Sequence, residues 1–167
     1  MTVGDPRKRS ERPDRKGPLG DPVAFAFLNE VGIIEQLARN RFEAVMPDDL
    51  LLSHFTVLNH LVRLGDGRSP ADLARAFQLA KGAITNTVGR LATRGLVRVE
   101  PDPRDRRGKR IYLTEAGRAA REACIAALGP ELDALEKTIG VDALAGALPV
   151  LQAVRVKLDR DRDPGAD

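Results

Sequence analysis

The chain has 167 residues, 43% of them hydrophobic and 31% charged, with a net charge of +3. That balance belongs to a globular protein and excludes a disordered or fibrous one, and no apolar run approaches the ~20 residues of a membrane span. With aromatics at 4% and no Trp, the core must be built from Leu, Val, Ile and Ala, and of these Leu and Ala are strong helix formers.

Residues 1–21 carry Pro6, Pro13 and Pro18 among mixed charges and almost no large apolar side chain. They are expected to form a disordered, basic, Pro-rich tail. With no apolar segment behind the charges they do not resemble a signal peptide. A first helix is expected from Pro22 to about Val45, because Phe27, Val31, Ile34, Leu37, Ala38, Phe42 and Val45 recur at helical spacing. Pro47 ends it. A second helix is expected from Ser53, as its cap, to Leu64, with Phe55, Leu58, Leu61 and Val62 facing inward and Gly65 as the stop. His54 is expected to face solvent near its start and His60 to pack or hydrogen-bond; the two lack the i, i+4 spacing of a helical metal chelate.

Ser69-Pro70-Ala71-Asp72 reads as a start signal: Ser69 as N-cap, Pro70 at the first helical position, Asp72 closing a capping box. The third helix is therefore expected over Pro70–Phe77. Gln78-Leu79-Ala80 turns the chain into a fourth, Lys81–Arg94, ended by Gly95; this spacing is that of a helix-turn-helix. On the fourth helix Ile84, Val88 and Leu91 fall on one side, followed by Leu96. The other side presents Gly82, Asn86, Gly89 and Thr93, flanked by Thr85 and Arg90, and no acid occurs from Lys81 to Arg94. A solvated surface helix usually mixes both signs. An acid-free face of Thr, Asn, Gly and Arg suits a groove lined by phosphates and base edges. Gly82 and Gly89 each cost about 1 kcal/mol of helix stability relative to Ala; chance or packing is the better explanation for either alone, and close backbone approach to another molecule is the better one for the two within this basic block. Asn86 is suited to an adenine edge, and Lys81 and Arg90 to phosphates or guanine.

Leu96–Glu100 and Arg110–Leu113 alternate as strands, with a polar loop from Pro101 to Lys109 between them. Charge in this loop is mostly basic: Arg104, Arg106, Arg107, Lys109 and Arg110. At a hairpin tip such arginines are suited to a narrow minor groove. Asp102 and Asp105 would repel phosphates and are expected instead to orient neighbouring arginines and shape the turn. Thr114 caps a long helix, which Gly129-Pro130 should kink or break. A last helix is expected from Asp142 to Leu158, with residues 159–167 as a second disordered tail.

Charge is segregated along the chain. Residues 75–110 hold ten basic and three acidic residues, whereas the flanking segments 22–74 and 111–167 each carry a net charge of −3. A polyanion would be drawn to that central block and to little else. No Gly-rich phosphate loop, nucleophile elbow or His-carboxylate pair points to an enzyme. Cys124 is the sole cysteine, so no disulfide closes within the chain and a cytoplasmic setting is expected. Its apolar surroundings, Ala123 to Ala127, fit a small buried hydrophobe; a thiol redox sensor is the alternative, and a nonspecific nucleoid-type protein would share the basic block.

Gly95-Leu96-Val97, Asp102-Pro103-Arg104-Asp105-Arg106-Arg107 and Ile111-Tyr112-Leu113-Thr114-Glu115-Ala116-Gly117 together resemble the MarR family of transcription regulators. Phe55–Leu61 resembles the family's second helix and Ser69–Ala74 its third, so the likeness covers about residues 23–158. Ala80 stands where the family often has a Ser or Thr cap. The resemblance implies a mainly α fold with a small β-hairpin wing: a winged helix-turn-helix over about residues 50–113 with dimerisation helices over about 22–46 and 114–158. It implies a homodimer on double-stranded DNA at a pseudo-palindromic operator, a repressor more often than an activator, responsive to a small aromatic or phenolic effector, with no cofactor, metal or membrane. Asp105 and Arg107 match the family's wing motif, with Arg106 at its tip. The expected DNA-binding residues are Lys81, Gly82, Thr85, Asn86, Arg90, Arg94, Arg104, Asp105, Arg106, Arg107 and Lys109.

Overall fold

A computed structural model describes residues 16, 17 and 19–162, the side chains of Arg106 and Arg162 excepted. Most of the expected N-terminal tail, and residues 163–167, lie outside the described residues. The elements in chain order are α1 (Val23–Val45), α2 (Leu52–Leu64), α3 (Pro70–Phe77), α4 (Lys81–Thr93), β1 (Val97–Asp102), β2 (Asp105–Leu113), α5 (Glu115–Ala127), α6 (Gly129–Ile139) and α7 (Val141–Arg162). This is the mainly helical fold with a two-stranded antiparallel wing that the sequence implies. The chain divides into two compact units, residues 1–44 and 45–167.

In the first unit α1 has the expected apolar periodicity, yet none of its residues is buried; Leu37 is 54% exposed. In the second unit, Val57, Leu58 and Leu61 of α2, Leu73 of α3, Ile84, Val88 and Leu91 of α4, and Ile111 of β2 close into one core. The inward set expected for α4 is thus the one buried. In α2 the stripe is rotated toward Val57, and Phe55 packs at its margin. No single described helix is long and apolar enough to cross a membrane.

Local chemistry accounts for the boundaries. The Ser69 Oγ accepts from the Asp72 N–H at 3.1 Å while Asp72 Oδ2 accepts from the Ser69 N–H at 3.0 Å, the reciprocal capping box expected for α3. At α2 the expectation fails: Ser53 lies inside the first turn and Leu51 takes the N-cap position. The acceptor comes from His54, whose Nδ1 takes the Leu51 N–H at 3.1 Å. Gln78 turns the chain out of α3 in the left-handed region, at φ 54°. Gly129-Pro130 does break the C-terminal helix, as expected, and Gly140 at φ 92° breaks it again. α7 accommodates Pro149 and continues past Leu158 to Arg162.

His54 is the main correction to the sequence reading, because it is 4% exposed rather than solvated. With Nδ1 accepting, the neutral ring carries its proton on Nε2, and that atom is buried with no hydrogen-bond partner among the described residues. Burial, then the Arg94 and Arg90 charges, pushes its pKa below the ordinary 6.5. His60 packs edge-on against Phe77 at 5.0 Å, and burial, then Arg68 and Arg63, lowers its pKa too. A base depressed in the folded state binds fewer protons folded than unfolded. Its stabilisation is therefore complete above the unfolded value and is lost as pH falls through it toward the folded value. The urea midpoint is expected to drop between about pH 7 and about pH 5. His54→Gln keeps an acceptor for the Leu51 N–H without a titrating group, and should lose part of that drop. Identical midpoints at both pH values in the parent protein would contradict the neutral buried ring.

Candidate nucleic-acid interface

The outward face of α4 is built by default from what the core leaves over. Once Ile84, Val88 and Leu91 are buried, helical periodicity turns Gly82, Thr85, Asn86, Gly89, Arg90 and Thr93 to solvent, and all six are exposed. Lys81 is exposed at the first turn, where Ala80 provides no side-chain cap. Among the described residues, Lys81, Asn86 and Arg90 form no side-chain hydrogen bond or ion pair. The two glycines have no packing reason: a Cβ built at Gly82 or Gly89 meets nothing within 4 Å. That removes one of the explanations open at the sequence level.

Asp49, His54, Thr85, Asn86, Gly89, Arg90, Thr93 and Arg94 line an open cleft of about 640 Å³ between the start of α2 and this face. Arg94 stands apart from the other expected DNA-binding residues. Its Nη2 donates to the Asp48 carbonyl at 2.6 Å and its Nη1 to the Asp49 carbonyl at 3.4 Å. Asp48 and Asp49 both adopt φ 54°, a region L residues enter at a cost. Arg94 is therefore the tie that holds the loop before α2, rather than a free cation on the reading face. The reason is its place at the C-cap of α4, where the chain turns away.

The wing differs in shape from the expected loop. β1 and β2 continue pairing outward from Val97↔Leu113 to Pro101↔Lys109, shift register, and close at Asp102↔Asp105. The tip is thus Pro103-Arg104, and Arg106 lies on β2 instead of at the tip. Two aspartates make this compact turn possible. Asp102 Oδ1 accepts the Arg104 N–H and Asp105 Oδ1 accepts the Arg107 N–H, each at 2.9 Å. Gly108 is required inside the bulge, since a Cβ there would lie 2.8 Å from the Asp102 Cβ. The Arg104 N–H, opposed by burial and reinforced by Arg110, holds the Asp102 carboxyl below the usual carboxylate range.

Asp102 does orient an arginine: its Oδ2 accepts from Arg110 Nε at 2.7 Å, and Arg110 Nη1 donates to the Gly67 carbonyl at 2.9 Å. Asp105 holds the Arg107 backbone N–H. The hairpin root is fastened to the α2–α3 loop by Gly67 N–H to Ile111 O, Ile111 N–H to Arg68 O (both 2.9 Å) and Leu113 N–H to Asp66 Oδ1 (3.0 Å). Asp66, Gly67 and Gly108 are the positions that sequence reasoning missed. The Gly65-Asp66-Gly67 turn signal was present but pointed to no partner. Arg104, Arg107 and Lys109 are exposed on this rooted hairpin. Arg107 and Lys109 make no side-chain hydrogen bond or ion pair among the described residues.

Cys124 is fully buried, and burial, then the Asp48 charge, raises its thiol pKa. That is the setting of an inert core thiol, opposite to the low-pKa exposed thiolate a redox sensor uses. Among the described residues no cluster of His, Cys, Asp or Glu could hold a metal ion.

Comparison with known proteins points the same way. The model of the MarR family matches residues 48–108. The HTH-type transcriptional repressor NicR of Pseudomonas putida is 32% identical over 149 residues, covering 87% of this chain and 92% of that protein. The transcriptional activatory protein BadR of Rhodopseudomonas palustris is 36% identical over 107 residues, 63% of this chain, and the match spans 59% of BadR. Among solved structures, a cysteine-to-serine mutant of Escherichia coli MarR complexed with operator DNA superposes with a TM-score of 0.62 at 25% identity, covering 79% of this chain and 95% of that one. Bordetella bronchiseptica BpsR, whose DNA binding is regulated by 6-hydroxynicotinic acid, gives a TM-score of 0.57 at 25% identity over 75% of this chain and 98% of that one.

Proposed function

The chain belongs to the MarR family of transcription regulators, whose DNA-binding winged helix-turn-helix it carries, and we propose that it is a repressor acting as a homodimer on a pseudo-palindromic operator, released by a small aromatic or phenolic ligand. It is a cytoplasmic regulator rather than an enzyme. The observation that carries this reading is the acid-free, outward face of α4, whose glycines serve no internal packing.

Each protomer sets α4 in a major groove. Asn86 meets a base edge, Gly82 and Gly89 allow the backbone to approach, and Lys81 and Arg90 bind phosphate or guanine. Arg104, Arg107 and Lys109 follow the adjoining minor groove, where the negative potential is focused. Twofold symmetry repeats the pattern roughly 34–36 Å away. The exposed apolar stripe of α1, and Leu132, Leu135, Ile139, Leu148 and Val150 on α6 and α7, support a second copy as the surface that covers them. The name of NicR supports repression, and the ligand of BpsR, an aromatic hydroxy acid, supports the effector class. Such a ligand acts only by preferring one spacing of the two winged domains over another.

Selection of genomic fragments by the purified protein tests the reading. A small set of fragments sharing an inverted repeat is expected, with affinity falling steeply as salt rises. Fragments indistinguishable from random DNA would leave only the nonspecific nucleoid-type reading.

A further inference from the structure

Three threonines of α4 have their hydroxyl protons already committed. Thr85 Oγ1 donates to the Lys81 carbonyl at 2.9 Å, Thr87 Oγ1 to the Ala83 carbonyl at 3.1 Å and Thr93 Oγ1 to the Gly89 carbonyl at 3.0 Å. A hydroxyl has one proton. These side chains therefore have no donor left for an outside acceptor, and offer a methyl group and a leftover oxygen lone pair. Thr85 is exposed at the flank of the outward face in the N-terminal half of α4, the part of a recognition helix that meets base edges. Gly82 and Gly89, three residues before it and four after, fall on the same side of the helix. With no Cβ at either and open space among the described residues where one would be, the helix backbone beside Thr85 is bare on that side.

The base edges of the major groove sort on this chemistry. Guanine shows two acceptors, N7 and O6, which Thr85 leaves unsatisfied with its proton committed, and a G·C pair has no methyl. An A·T pair shows the thymine C5-methyl and the adenine N6 amino donor, which complement a methyl and a lone pair. We propose that Thr85 is a specificity-determining residue that selects an A·T pair in each half-site by contact of its γ-methyl with the thymine C5-methyl. The inference rests on the operator-binding reading above and sharpens it from "duplex DNA" to a base identity beside the N-terminal half of α4.

The test uses the full chain and the duplex that it selects from a random-sequence pool. Each thymine of the site is replaced in turn by deoxyuridine, which removes only the C5-methyl. One thymine per half-site is expected to respond, each replacement weakening binding about fourfold, the worth of one buried methyl group. Thr85→Val, which keeps the methyl and lacks the hydroxyl, should retain this sensitivity. Thr85→Ser, which keeps the hydroxyl and lacks the methyl, should bind thymine and uracil duplexes alike. Matching thermal melts show that both variants fold. The proposal is overturned if no thymine methyl matters to the parent protein, or if Thr85→Ser keeps the parent's sensitivity. Selection that returns no preferred sequence is a different result: it overturns the operator-binding reading itself, and this inference with it.

Discussion

Arg107→Ala is expected to lower operator affinity about tenfold to a hundredfold while leaving the melting temperature unchanged. The side chain is exposed and makes no hydrogen bond or ion pair among the described residues, so its loss costs the fold nothing. Its backbone, by contrast, is fixed: Asp105 Oδ1 holds the Arg107 N–H at 2.9 Å on a strand of the rooted hairpin. The guanidinium is thus delivered without first having to order its own main chain. The proposed dimer would present two copies, so the slope of log affinity against log salt should shrink by about two. Gel-shift titration at several salt concentrations measures both quantities. An unchanged slope would remove Arg107 from the contact, whatever the affinity did. Arg110→Ala serves as a contrast, because Arg110 is engaged with Asp102 and the Gly67 carbonyl and should lower the melting temperature as well.

The second large effect is on folding. Gly117→Ala is expected to destabilise the protein by about 3 kcal/mol, enough to take roughly 10 °C off its melting temperature. A Cβ at this position would sit 2.0 Å from the Leu96 carbonyl oxygen and 2.9 Å from Leu113 Cδ1. Neither can yield easily. The Leu96 oxygen accepts the Thr114 N–H at 3.2 Å, and Thr114 Oγ1 both donates to the Gly95 carbonyl at 2.7 Å and accepts the Gly117 N–H at 3.0 Å. The turn after α4 and the start of α5 are therefore laid backbone against backbone. This explains why Gly95-Leu96 and Thr114-x-x-Gly117 occur together in the motif that made the sequence recognisable. Calorimetry or circular dichroism of the variant decides it; a cooperative melt within a few degrees of the parent would mean the junction is looser than its geometry.

What could be read from the sequence was what short-range chemistry determines. The boundaries of α3 follow from Ser69, Pro70 and Asp72, all within one turn, and the buried set of α4 follows from periodicity. The misread positions depend on partners distant in the chain or on side chains in unusual service. Arg94 looks like another cation on the reading helix, but its acceptors lie more than forty residues earlier. His54 looks solvated because it is polar and near a helix start, yet its ring is the cap of that helix. The wing reads as a loop because Pro101, Pro103 and Gly108 normally interrupt strands. Here the two aspartates supply the turn hydrogen bonds and Gly108 fills the bulge, so the ladder continues. The stripe of α1 shows the reverse case, an apolar periodicity plain in the sequence on a helix with no buried residue.

The bare positions 82 and 89 also set an evolutionary ceiling. Alanine at both would make the isolated molecule more heat-resistant by about 2 kcal/mol, and nothing inside the protein opposes the change. A laboratory screen for thermal hardiness alone should therefore enrich those two exchanges early, and the survivors should be sturdier proteins that fit their target site less well. In the proposed complex the partner molecule is what favours glycine there, so an effect on binding that no measurement of folding would reveal is expected at these two positions.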